Sequence, residues 1–146
     1  HYSLLVGGVR GAARLGMEPT YWWDALDSDV LNWINANTAP GASVAFSSIT
    51  PQNPERLREW GRLRVEVSNR DEENFQRYVL QNRPGLFNEV ERELVKSAQP
   101  VSVNYAGRHR NRVPPDLRVP LVMVFSSAHY ERAIVGMARD RSGGDD

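Results

Sequence analysis

The sequence predicts a single α/β domain: a mixed sheet of about five strands, packed by three or four short helices. Three observations carry this. Stretches with helical and strand periodicity alternate along the chain, which favours a sheet with helices laid on its faces. The run Leu121–Phe125 is apolar at every position, so both of its sides face protein and it belongs inside the sheet. The chain has 146 residues, of which 40% are hydrophobic and 25% charged, a size and composition suited to one core.

Taken in order, the small-residue stretch from Gly7 to Gly16 predicts a short helix closed by glycine. Its glycines do not form a dinucleotide fingerprint, because no strand precedes them and no ribose-binding acid follows at the required distance. Asp27 or Ser28 caps a helix running to about Asn37, with Val30, Leu31 and Ile34 on one face. Pro40-Gly41 ends that helix and turns the chain into a strand at 43–47. Asn53-Pro54 starts the next helix, Leu57 and Trp60 share its face, and Gly61 closes it. Leu63, Val65 and Val67 alternate with Arg64 and Glu66, predicting a strand at 63–67.

A polar turn leads to a strand at 75–80, broken by Arg83-Pro84-Gly85. Asn88 with Glu91 reads as a capping box opening a helix whose buried stripe is Val90, Leu94 and Val95. Glu89, Glu91 and Glu93 read as its solvated side. Strands follow at 101–105 and 121–125, and Ser126 or Ser127 caps a last helix near Tyr130–Val135. The domain is expected over 1–138, with 139–146 as a frayed, charged tail.

Composition narrows the chemistry. Eighteen basic residues balance eighteen acidic ones, so global attraction to nucleic acid is not expected. The absence of cysteine removes thiolate metal sites and thiol nucleophiles. Spacing supplies neither a metal-ligand box nor a serine elbow, and no cofactor is expected. No run approaches the ~20 apolar residues of a membrane span. The start of the chain reads as the interior of a longer protein, and His1 as a tag remnant.

Two clusters are candidate binding residues. Tyr21, Trp22, Trp23 and Asp24 place aromatic faces beside carboxylates, as a saccharide contact requires; Asp27 and Asp29 extend the group. The alternative is that these acids serve the helix N-terminus and the tryptophans fill the core. Arg108, Arg110 and Arg112 alternate, so an extended backbone aims them one way, which suits a phosphate or carboxylate. A solvated loop is the alternative there. A small hydrolase built from His109 or His129 with Asp116 or Glu131 is a further possibility.

Several segments, in order, resemble the C-terminal region of bacterial polytopic glycosyltransferases related to protein mannosyltransferases and aminoarabinose transferases. They are Tyr2–Gly8 with Gly11–Ala13, Gly16–Glu18 with Tyr21–Leu26, Val30–Asn35, Ala39–Val44, Tyr78–Pro84 and Pro120–Phe125. Ser3 stands where many such proteins carry asparagine. The resemblance implies a parent enzyme that moves a sugar from a polyprenyl-phosphate donor to an acceptor outside the cytoplasm. This chain would then be its noncatalytic domain on the extracytoplasmic (periplasmic) side, held at the membrane surface by the parent's transmembrane region. Its expected work is to cover the active site and help position a saccharide acceptor or the lipid phosphate. No catalytic residue carries over, because in that family the catalytic acid lies in an early extracytoplasmic loop among the membrane helices, and this sequence does not include that loop. A freestanding carbohydrate- or oxyanion-binding module is the alternative.

Overall fold

A computed structural model describes residues 26–47, 49, 52–68, 74–105 and 119–142, together with Gly11, Arg14 and Leu15. The elements are α1 (Ser28–Asn37), β1 (Ser43–Ser47), α2 (Gln52–Glu59), β2 (Glu66–Ser68) and β3 (Arg77–Gln81), then α3 (Glu89–Ser97), β4 (Ser102–Tyr105), β5 (Pro120–Ser126) and α4 (Ser127–Ser142). The strands form one mixed sheet in the order β2-β1-β3-β5-β4. β1 runs parallel to both β2 and β3, whereas β5 is antiparallel to β3 and β4. The α/β class and the five-stranded mixed sheet are those the sequence predicts.

The period-two alternation of each strand sends side chains to two separate cores. On one face, Val44, Val79, Val122 and Val124 pack with Val30, Leu31 and Ile34 of α1 and Leu57 of α2. On the other, Ala45, Tyr78, Leu80, Met123 and Phe125 pack with Leu94 of α3 and Ala133 of α4. The result is a three-layer α/β/α domain. β5 lies between β3 and β4 and is covered on both faces, which is why its run is apolar throughout.

Local signals set the ends of the elements. The Asp27 carboxylate accepts from the Val30 N–H at 3.0 Å, satisfying one of the orphan donors of α1. Replacing Asp27 with alanine is expected to lower unfolding free energy by about 1 kcal/mol, read from the midpoint of urea denaturation. After α1, the Ala42 N–H donates to the Ala39 carbonyl and Gly41 adopts φ 76°, the positive value that favours glycine in such a turn. Gly61, at φ 67°, closes α2 in the same left-handed conformation.

Several expected boundaries shift. α2 begins at Gln52, one residue before Asn53, and Trp60 lies beyond its end. Helical spacing therefore no longer governs Trp60, which is 66% exposed while Leu57 is buried. The strand expected at 63–67 is reduced to Glu66–Ser68. Leu63 and Val65 are buried without belonging to the ladder, because the Asn35 side chain occupies the Arg62 carbonyl and the Arg64 N–H. The other strands sit within two residues of expectation. α4 runs to Ser142, so residues 139–142, expected as tail, continue it. In the first predicted helix only Gly11, Arg14 and Leu15 are described, joined by the Leu15 N–H to Gly11 carbonyl bond of one turn.

One expectation fails outright. Glu91, read as solvated, is 0% exposed, whereas Val95, read as buried, is 39% exposed. Glu91 is the residue that the capping box turns inward.

Candidate functional site

The residues first singled out for binding, Tyr21, Trp22, Trp23, Asp24, Arg108, Arg110 and Arg112, lie outside the described residues, as do His109 and Asp116. Asp27 is the helix cap of α1 and Asp29 stands in the first turn, the role their position favours electrostatically. His129 is the third residue of α4, with its ring edge-on to Phe125. Among the described residues its buried Nδ1 has no hydrogen-bond partner, so no described carboxylate orients the ring through that nitrogen. Glu131 is two residues along the same helix, a spacing that points the two side chains apart. Among the described residues, no group of three or more acidic or histidine side chains is placed to hold a metal ion. No described helix is long and apolar enough to cross a membrane.

Two other arrangements of polar residues remain. The first is buried beneath the α3–α4 face. The Tyr78 hydroxyl donates to Glu91 Oε1 at 2.7 Å, and the Ser47 hydroxyl donates to the same oxygen. Glu91 Oε2 accepts from the Asn88 N–H at 2.7 Å, while Asn88 Oδ1 accepts from the Glu91 N–H at 2.8 Å. One carboxylate thus ties the end of β1 and the start of β3 to the start of α3. Tyr130 of α4 covers it, its ring 4.5 Å from that of Tyr78. Ser47, Tyr78 and Glu91 are all buried, and their hydrogen bonds tie the sheet to α3.

The second arrangement is open. Beside α1, a polar groove of about 330 Å³ is lined by Ser28, Asn32, Asn35, Gly61, Arg62 and Arg64, among others. It adjoins a more apolar groove of about 350 Å³ lined by Leu26, Asn53, Arg56, Leu57, Trp60 and Arg62. Arg62 borders both, so the two halves meet at that residue.

The wall between α1 and β2 is held by hydrogen bonds. Asn35 Nδ2 donates to the Arg62 carbonyl at 2.9 Å, and its Oδ1 accepts from the Arg64 N–H at 2.8 Å. This double contact fixes the backbone that carries both arginines. Arg62 Nη2 donates to the Ser28 hydroxyl at 3.0 Å, setting that guanidinium over the helix start. Arg58, outside the groove, is paired with Glu66 at 2.8 Å. Among the described residues, the guanidinium groups of Arg56 and Arg64 have no hydrogen-bond or ion-pair partner. Among the described residues, none lining either groove is acidic.

The sequence reading passed over Trp60, Arg62 and Arg64, although a signal was present. Arg62-Leu63-Arg64 beside Trp60 has the same alternation of arginine that singled out residues 108–112. In the sequence that alternation also fits a strand, where alternating arginines are the ordinary solvent face.

The fold and groove define a three-layer α/β/α domain with an open, basic and aromatic cleft. No protein-family model matches the chain, and comparison with curated proteins and with solved structures returns no match.

Proposed function

We propose that this chain is a noncatalytic domain of a membrane-embedded glycosyltransferase that uses lipid-linked sugar, and that it helps position the acceptor or the lipid phosphate near the reaction site. One observation supports the reading above the others. Four of the segments that resemble the protein mannosyltransferase-related enzymes coincide with structural elements: residues 30–35 fall in α1, 39–44 lead into β1, 78–84 cover β3 and its exit, and 120–125 are β5. Three of these four bear on the adjacent inner strands β1, β3 and β5. Residues that resemble a family in the elements of one core are constrained together, as loop segments are not.

The test lies in the gene. Upstream of Tyr2, the reading frame is expected to encode several apolar spans of ~20 residues, the length that crosses a bilayer. An upstream frame that lacks them overturns the proposal.

The second reading is a freestanding carbohydrate- or oxyanion-binding module. The exposed Trp60 beside partner-free arginines favours it, since indole faces and guanidinium groups are the usual means of holding sugars and oxyanions.

A further inference from the structure

We infer that the double groove around Arg62 is a binding site for a saccharide bearing a phosphate monoester, with the sugar ring against Trp60 and the phosphate held by the guanidinium groups. The inference deepens the proposed positioning role and rests on it for its biological setting, but it is carried by different residues.

Charge comes first. Arg56, Arg62 and Arg64 line the cleft; among the described residues no lining residue is acidic, and Arg62 has only a neutral hydroxyl as side-chain partner. Arginine side chains left without counter-charges along one cleft repel each other and favour a multiply charged anion between them. The planar fork of guanidinium matches phosphate oxygens in pairs, and a phosphate monoester is close to a dianion at neutral pH.

Shape and polarity then narrow the class. A bare anion needs no aromatic wall, yet Trp60 holds its indole two-thirds exposed at one side of the cleft. An exposed tryptophan beside a cavity is a ready platform for a flat, amphipathic ring. Asn32 and Asn53 supply amides with no side-chain hydrogen bond among the described residues, one in each half of the cleft. Such amides both donate and accept, as vicinal hydroxyls require. The backbone that carries Arg62 and Arg64 is already fixed by Asn35, so binding immobilises side chains and not a loop.

A free sugar phosphate and the phosphorylated glycan headgroup of a lipid share this chemistry. Calorimetric titration of the 146-residue chain with glucose 1-phosphate, glucose and inorganic phosphate reads it directly. Glucose 1-phosphate is expected to bind at least tenfold more tightly than either of its halves. Trp60→Ala is expected to weaken glucose 1-phosphate at least fivefold and leave inorganic phosphate unchanged, whereas Arg64→Ala weakens both. Arg58→Ala, whose partner is Glu66, is the control and leaves both unchanged.

Co-sedimentation with phosphatidylcholine vesicles carrying a phosphorylated glycolipid tests the second source. Binding to the soluble or the membrane-borne ligand with this dependence on Trp60 and Arg64 supports the inference. Binding to neither overturns it, as does an affinity for glucose 1-phosphate equal to that for phosphate, or a loss in Arg58→Ala equal to that in Arg64→Ala. The outcome is separable from that of the gene. Binding without upstream membrane spans leaves the site standing and removes the transferase, while spans without binding do the reverse.

Discussion

Glu91→Ala is expected to destabilise the protein by about 3–5 kcal/mol, the range for breaking a buried, hydrogen-bonded charge network. The substitution removes the common acceptor of the Tyr78 and Ser47 hydroxyls and the acceptor of the Asn88 N–H. A hydrogen bond lost from a buried polar group costs roughly 1–3 kcal/mol. Because Glu91 is 0% exposed, water cannot take over these bonds without opening the α3–sheet contact. Glu91→Gln is expected to cost less, because its carbonyl oxygen can still accept from both hydroxyls. Its amide nitrogen would face the Asn88 N–H, donor against donor, so it remains destabilised. Urea denaturation of the three proteins measures this, and an alanine variant within 1 kcal/mol of the parent contradicts a structural role for the carboxylate.

Phe125→Ala is expected to cost about 3–5 kcal/mol, through lost burial plus an incompletely collapsed cavity. Phe125 is fully buried in β5, where it pairs with Tyr78 of β3 and packs in the core beneath α3 and α4. Its backbone hydrogen bonds survive the change, so the loss is one of packing alone. The same measurement on Val135→Ser supplies the contrast. Val135 is half-exposed on α4 and is expected to change stability by at most about 0.5 kcal/mol, as surface substitutions do. A Phe125→Ala loss no greater than that of Val135→Ser would show that β5 is not an interior strand.

Much of the fold was legible in local patterns. The cap at Asp27, the capping box of Asn88 with Glu91, the turns at Gly41 and Gly61 and the unbroken apolar run of β5 each have a short-range physical cause. Such signals act within a few residues, so they survive in the sequence. The strand at 63–67 was misjudged in extent because its pattern is the same whether or not a neighbouring strand pairs with it. There, a side chain from α1, Asn35, claimed the backbone groups instead.

The candidate site was less legible than the fold. Arg56, Trp60, Arg62 and Arg64 belong to one stretch of sequence, but Ser28, Asn32 and Asn35 come from a helix about thirty residues earlier. Nothing in either stretch announces the other. Equally, the sequence shows Glu91 as one of three acids on a polar helix and gives no sign that Tyr78 and Ser47 await it.

By itself, then, the sequence determined the α/β class, a sheet of about five strands, the capping box of α3 and the interior place of β5, because periodicity and capping are short-range effects. The tertiary structure alone decided the strand order, which carboxylate is buried and where the open cleft lies. These depend on residues brought together by packing of α1 and α3 on opposite faces of the sheet, contacts whose energy belongs to the folded arrangement and leaves no mark in any one segment.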